Sequence, residues 1–96
     1  MLNAAVIGGG ISGLASAVRV AGLGARVTLF EGESFLGGLG TTFPYRGGHL
    51  ERFYHCILPL DTALIGFIRE LGLGDELLWQ PTRMGFMYRR KVLVRV

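Results

Sequence analysis

The chain has 96 residues, of which half are hydrophobic and sixteen are glycine, and its formal net charge at pH 7 is +3. This composition excludes a disordered polyelectrolyte and indicates one packed fold with many tight turns. A chain of this length buries only about 60 to 65% of its unfolded surface, so we expect a modest core.

A strand, a helix and a second strand are predicted at the start of the chain. Residues 2–7 are a short segment that is apolar apart from Asn3, which suits a parallel strand that is covered on both faces. Apolar residues then recur at helical spacing over residues 11–21, and Gly22 and Gly24 end this helix. Residues 26–31 predict the second strand. The three elements together form a βαβ unit, whose crossover is right-handed in nearly all known cases.

A glycine-rich loop and two short strands follow the βαβ unit. Residues 34–40 form the loop, and residues 41–54 predict two strands that are joined through residues 46–48, which are Arg-Gly-Gly. The change of pattern near Gly40 predicts a boundary between the βαβ unit and the region that follows it.

The last third of the chain predicts one helix and further strands. The helix begins after Asp61, a residue type that favours the N-cap, and Gly72 or Gly74 ends it. Its apolar stripe consists of Leu64, Ile65, Ile68 and Leu71. Residues 77–80 and 84–96 alternate as strands, and Arg89, Arg90 and Lys91 are expected in a solvated turn.

A glycine motif at the junction of the first strand and helix carries the functional signal. Residues 8–13 contain the pattern G-x-G-x-x-G in the context that a dinucleotide fingerprint requires. Gly8 permits the tight turn, Gly10 lets the main chain approach a pyrophosphate, and Gly13 lets the helix pack closely on the strand. Main-chain N–H groups at the positive end of the helix dipole would then face the phosphates. The predicted dinucleotide contacts are Gly8, Gly9, Gly10, Ile11, Ser12 and Gly13.

An acidic residue ends the second predicted strand and narrows the choice of dinucleotide. Glu31 lies eighteen residues after Gly13, where a carboxylate can accept hydrogen bonds from both hydroxyls of the adenosine ribose. The same carboxylate would repel the 2′-phosphate of NADP, so FAD or NAD remain as ligands.

The segment after Glu31 favours FAD, because a Gly37-Gly38 pair follows Glu31 after five intervening residues. Together with the fingerprint, this pattern resembles the superfamily of FAD-dependent amine oxidases, protoporphyrinogen oxidases and phytoene desaturases. Residues 47–55 and 70–73 are similar to later segments of that family. The resemblance implies a second close main-chain approach to FAD, with contacts at Gly37, Gly38 and Leu39.

Side chains beside the Gly-Gly pair depart from the family pattern. Family members usually place a basic residue just before or after the pair, whereas this chain has Leu36 and Leu39 there and Phe35 at the usual upstream arginine position. We therefore expect main-chain rather than side-chain contacts to the cofactor at this loop.

The resemblance implies an FAD-dependent oxidoreductase that transfers a hydride from a C–N or C–C bond of a small apolar substrate to flavin. The expected α/β fold is a Rossmann-like FAD-binding βαβ unit at residues 1–40, followed by the start of an α+β substrate-binding region at residues 41–96. This domain is expected to be incomplete, so the 96 residues alone would be inactive and need the remainder of a longer polypeptide. Two alternatives stay open: a flavin-dependent isomerase similar to UDP-galactopyranose mutase, and a non-catalytic dinucleotide-binding module.

Other functional classes find little support. His49, His55 and Cys56 lack partners at a spacing that would fix a catalytic or metal-binding geometry, so no catalytic residue is assigned and no metal is expected. The basic C-terminal end alternates like a hairpin, so no nucleic-acid partner is expected. The lack of an uncharged apolar run of about 18 residues allows peripheral membrane association at most. The single cysteine fits a reducing compartment, and we expect a cytoplasmic protein that binds a small-molecule substrate.

Overall fold

The computed structural model describes residues 1–54, 56–82 and 84–95, which belong to two compact units, Met1–Cys56 and Ile57–Val96. The elements of the first unit are β1 (Asn3–Ile7), α1 (Ile11–Gly22), β2 (Arg26–Phe30), β3 (Thr42–Tyr45) and β4 (Gly48–Glu51). The elements of the second unit are α2 (Thr62–Glu70), β5 (Met84–Tyr88) and β6 (Lys91–Arg95). Single 3₁₀ turns lie at Gly38–Gly40 and Gly74–Glu76.

The predicted βαβ unit is confirmed. Strands β1 and β2 pair in parallel, from Asn3 opposite Arg26 to Ile7 opposite Phe30, and α1 packs against both strands. Side chains alternate between half-buried and exposed along each strand, because successive residues of a strand point to opposite faces. The half-buried positions are Ala4, Val6, Val27 and Leu29.

The other face of this two-stranded sheet carries large apolar side chains that remain exposed. Ile7 is 80% exposed and Phe30 is 54% exposed. Among the described side chains, Ile65 of α2 is the one buried hydrophobic residue, at 7% exposure. The described part of the chain therefore buries little apolar surface by itself, as its length leads one to expect.

The second pair of strands belongs to the same compact unit as the βαβ unit. Strands β3 and β4 form the predicted antiparallel hairpin, and its two-residue turn consists of Arg46 at φ 45° and Gly47 at φ 81°. Two successive positive φ angles are typical of a type I′ turn. The first unit thus extends beyond Gly40, the predicted boundary, and the assignment of residues 41–96 to substrate binding stays a prediction.

Helix α2 forms where its apolar stripe predicts it, but its N-terminus is held differently. Asp61 occupies the N-cap position without a side-chain bond to the helix. Its carboxylate instead accepts a hydrogen bond from the Leu58 N–H at 2.7 Å, within the preceding turn. The helix ends before Gly72, which lies at φ 76°.

The predicted strand at residues 77–80 is wrong, whereas the final pair of strands is confirmed. Residues 77–80 follow a 3₁₀ turn and, within the described ranges, pair with no other strand. Strands β5 and β6 pair through a tighter turn than predicted: Arg89 and Arg90 fill it at φ 48° and 63°, and Lys91 already belongs to β6. His55, Arg83 and Val96, which the sequence analysis includes in predicted segments, lie outside the described residues.

Neither helix in the described ranges combines the length and apolar character needed to cross a membrane.

Candidate functional site

The turn from β1 into α1 forms an open crevice at the amino end of the helix. Gly8 takes φ 100° and donates its N–H to the Phe30 carbonyl oxygen at 2.7 Å, which fixes the turn above the end of β2. Gly10 is the N-cap residue of α1, and in the described part of the chain no side chain caps this helix. The N–H groups of the first helical turn therefore remain available for an anion, as the fingerprint predicts.

Gly13 and Gly10 differ in what surrounds them. A Cβ atom on Gly13 would overlap the carbonyl oxygen of Gly8 and lie 3.5 Å from Cγ1 of Val6, so glycine at position 13 is required for the helix to pack on the turn. A Cβ atom on Gly10 would have no neighbour within 4 Å. Gly10 thus faces free space, as expected of a residue that leaves room for a ligand.

The second glycine segment lies directly against the first. The Gly37 N–H donates to the Gly9 carbonyl oxygen at 2.7 Å, and Gly37 forms a parallel bridge with Gly10. A Cβ atom on Gly38 would lie 3.2 Å from the Cα atom of Gly10, so the two segments approach each other closely. The turn at Gly37 also requires a φ of 103°, which side-chain-bearing residues rarely adopt.

A cleft of about 420 Å³ opens between these two glycine segments and the start of α1. The predicted residues that line it are Gly8, Gly10, Ile11, Ser12, Gly13, Gly37 and Leu39. Ile7 and Gly40 also line it. Sequence analysis missed these two, although each stands next to a predicted glycine segment. Gly9 is buried and does not line this cleft, and its main chain instead binds both Gly37 and Glu31.

Glu31 lies directly after β2 and is held by main-chain N–H groups. Its Oε1 accepts the Glu33 N–H at 2.9 Å, and its Oε2 accepts the Gly9 N–H at 2.6 Å. The hydrogen bonds from the N–H groups of Glu33, Gly9 and Gly32 hold the pKa of the carboxyl below its ordinary value of 4.5. The carboxylate therefore stays charged and fixed in place, and its remaining lone pairs can accept sugar hydroxyls.

A second cleft, of about 260 Å³, adjoins Glu31. Its lining consists of Glu31, Glu33, Phe35, Gly38, Leu39 and Arg52. Leu39 lines both clefts, so the cleft beside the carboxylate and the crevice at α1 adjoin at this residue. The predicted residues Glu31 and Gly38 thus lie together here.

Three residues of this second cleft, Glu33, Phe35 and Arg52, were not predicted as site residues, and the positively charged one is Arg52. Its guanidinium carbon lies 4.4 Å from the centre of the Phe35 ring, and its Nε donates to Oγ1 of Thr41 at 3.0 Å. Arg52 follows β4, eleven residues beyond Thr41, and only the pairing of β3 with β4 brings it to the glycine loop.

Of the other candidate side chains, Cys56 lines neither of the two clefts. Cys56 is exposed and accepts a hydrogen bond from the Tyr54 hydroxyl at 3.5 Å, which raises the pKa of that hydroxyl. The described residues contain no group of three or more His, Cys, Asp or Glu side chains that could hold a metal ion.

A glycine turn between a parallel strand and a helix, with a carboxylate after the neighbouring strand, defines a dinucleotide-binding module. The chain belongs to the family described as NAD(P)-binding Rossmann-like domain, which matches residues 6–71.

Several relatives match most of the length of this chain. Zeta-carotene desaturase of Solanum lycopersicum is 31% identical over 80% of the chain and 13% of its own length. Coproporphyrinogen III oxidase of Propionibacterium freudenreichii subsp. freudenreichii is 36% identical over 76% of the chain and 14% of its own length. All-trans-retinol 13,14-reductase of Rattus norvegicus is 37% identical over 88% of the chain and 14% of its own length. The chain thus corresponds to a small part of each relative.

Solved structures of putrescine oxidase variants, redesigned in their cofactor binding, share the fold. One variant superposes with a TM-score of 0.67 at 31% identity, covering 88% of this chain and 17% of its own. A second gives a TM-score of 0.70 at 28% identity, covering 99% of this chain and 22% of its own. These matches confirm the resemblance to the FAD-dependent amine oxidase-like superfamily.

Proposed function

We propose that this chain holds FAD in an oxidoreductase that moves a hydride from a C–N or C–C bond of a small apolar substrate to the flavin. One observation carries the proposal: the Gly37-Gly38 segment lies against the fingerprint loop, so closely that a Cβ atom added to Gly38 would lie 3.2 Å from the Gly10 Cα. This contact extends the bare main-chain surface beyond the first turn of α1. A diphosphate that is joined to a further ribityl chain needs such a surface.

The residues of the first unit suit the two ends of an adenosine diphosphate group. The uncapped N–H groups of Ile11 and Ser12 and the helix dipole suit the diphosphate, and the charged carboxylate of Glu31 suits the ribose hydroxyls. When bound, FAD supplies the redox chemistry, so the chain needs only to bind and orient it. The relatives are named as a desaturase, oxidases and a reductase, which supports oxidation or reduction as the reaction class.

The proposal also includes polypeptide in addition to these 96 residues. The relatives are several times longer than the chain, and Ile7 and Phe30 are exposed on one face of the β1–β2 sheet. Parallel sheets are normally covered on both faces. We propose that additional polypeptide covers this face and supplies the substrate site, and that the protein works in the cytoplasm.

The test is a measurement of bound nucleotide on the complete polypeptide that the reading frame encodes. We expect one FAD per chain after purification and acid release, and no comparable binding of FMN, which lacks the adenylate that Glu31 would contact. A complete polypeptide that binds no FAD, or that prefers FMN, would contradict the proposal.

Measuring the consumption of an electron acceptor during turnover distinguishes an oxidoreductase from the alternative, a flavin-dependent isomerase. An oxidoreductase consumes oxygen or another electron acceptor in proportion to product, whereas a flavin-dependent isomerase consumes neither. The 96 residues alone should retain little or no FAD, because so much of their apolar surface is uncovered.

A further inference from the structure

Arg52 places a positive charge at the second cleft, although no basic residue stands beside the Gly37-Gly38 pair. Leucines occupy positions 36 and 39 beside the Gly-Gly pair, and Phe35 stands upstream of it. The Arg52 guanidinium lies over the ring of this same Phe35, at 4.4 Å, and lines the cleft together with Glu31. The charge therefore reaches the cleft from the β3–β4 hairpin rather than from the glycine loop.

A chain of hydrogen bonds holds Arg52 against the glycine loop. The Arg52 main-chain N–H donates to the Thr41 carbonyl oxygen at 2.9 Å, and its Nε donates to Thr41 Oγ1 at 3.0 Å. Thr41 Oγ1 in turn donates to the Gly38 carbonyl oxygen at 2.7 Å. Arg52 is thus fixed relative to Gly38, which lies beside Gly10.

The orientation of the guanidinium determines what it can bind. The Phe35 ring lies at 4.4 Å and the Phe43 ring at 5.9 Å from the guanidinium carbon, and Thr41 binds Nε, so these contacts do not use the N–H groups on the two Nη atoms. Guanidinium edges bind planar or tetrahedral anions through pairs of N–H groups. The carboxylates of Glu31 and Glu33 line the same cleft and would repel an anion in the absence of a nearby cation.

We infer that Arg52 is a phosphate-binding residue of the dinucleotide site. This inference rests on the proposed function, since it assigns a contact to the same ligand. The ligand group is an anionic phosphate of the dinucleotide.

The test uses three variants of the complete polypeptide and follows FAD binding by quenching of flavin fluorescence at low and high salt. Arg52→Met removes the charge, Arg52→Lys keeps the charge without the flat group, and Arg46→Met is the matched control. Arg46 lies on the same hairpin and also over an aromatic ring, that of Tyr45 at 5.3 Å, but lines neither cleft. Thermal unfolding without ligand checks that each variant is folded.

We expect Arg52→Met to bind FAD about tenfold more weakly at low salt, because a charge-assisted hydrogen bond is lost. Its affinity should also depend less on salt than that of the unmodified protein, since fewer ionic contacts remain. Arg52→Lys should keep the salt dependence, and Arg46→Met should match the unmodified protein in both measurements. Competition by ADP should weaken in Arg52→Met, whereas competition by adenosine should not change.

Three results would overturn the inference. Equal FAD affinity in Arg52→Met and Arg46→Met would show that Arg52 does not touch the ligand. The proposed function would still hold in that case, provided that the unmodified protein binds FAD. If Arg52→Met weakens competition by ADP and by adenosine equally and leaves the salt dependence unchanged, then Arg52 only positions the glycine loop. Absence of FAD binding in the unmodified complete polypeptide would remove the proposed function and the inference together.

Discussion

Replacing Gly10 with alanine separates ligand binding from folding at this site. The residue has φ −71° and ψ 178°, an extended conformation that any amino acid adopts. A Cβ atom at this position would have no neighbour within 4 Å, so it would cause no steric clash within the protein. We therefore expect the free energy of unfolding without ligand to change by no more than about 0.5 kcal/mol.

The same methyl group would occupy space that the diphosphate requires. Inserting one methyl into a packed contact costs about 1 to 3 kcal/mol, which corresponds to about a 5- to 150-fold loss of affinity for FAD. Gly10→Val adds two more carbon atoms and should abolish binding. The matched control is Gly22→Ala at the opposite end of α1, where a Cβ atom also has no neighbour within 4 Å. That substitution should leave the affinity for FAD unchanged.

Two measurements on the complete polypeptide check this reasoning: fluorescence titration with FAD, and thermal unfolding followed by circular dichroism in the absence of FAD. The expected pattern is a loss of affinity in Gly10→Ala at an unchanged melting temperature. A Gly10→Ala variant that binds FAD as well as the Gly22→Ala control would show that the diphosphate lies elsewhere. A lowered melting temperature without ligand would show that Gly10 serves the fold instead.

Three further substitutions test other contacts of the first unit. Gly13→Ala should destabilise the fold by about 3 kcal/mol or more, seen as a lower melting temperature or loss of soluble protein, because its Cβ would overlap the Gly8 carbonyl oxygen. The lowered pKa of Glu31 means that its hydrogen bonds stabilise the fold above about pH 4.5 and cease to do so as the pH falls through that lowered value. Glu31→Gln should therefore lose less stability than the unmodified protein in acid denaturation, and at neutral pH it should bind FAD about tenfold more weakly in titration. Arg46→Asn should raise the free energy of unfolding by about 0.5 kcal/mol in urea titrations, because asparagine tolerates the left-handed conformation found there better than arginine does.

The βαβ unit could be predicted from the sequence because its signals are local. The apolar run, the helical period and the glycines at both ends of α1 each fix a conformation within a few residues. The position of Glu31 beside the crevice follows from the pairing of β1 with β2, whose parallel direction a βαβ connection imposes. For this reason the fingerprint residues and the carboxylate could all be named without a structure.

The failures arise where a residue's role depends on distant partners. Residues 77–80, Leu-Leu-Trp-Gln, were predicted as a strand, but such a segment becomes a strand only when another strand pairs with it. Arg52 lies in the family-like segment 47–55, but that resemblance gives it no role, and its proximity to Phe35 depends on the turn at Arg46 and Gly47. Such placements follow from hairpin register, which the sequence pattern leaves undefined at the level of single side chains.

The glycines of the fingerprint also show why spacing alone cannot assign a role. Gly13 is required by the protein, since its Cβ would overlap the main chain of Gly8, whereas Gly10 has free space around it that only a ligand would use. Gly9 has a third role: its N–H is bound by Glu31 and its carbonyl by the N–H of Gly37. The carboxylate that would bind the ribose therefore also fixes the loop that would bind the diphosphate. Because the two subsites share this hydrogen bond, a substitution of Glu31 should weaken the contacts with both the ribose and the diphosphate. A substitution of Gly10 should weaken only the contacts with the diphosphate.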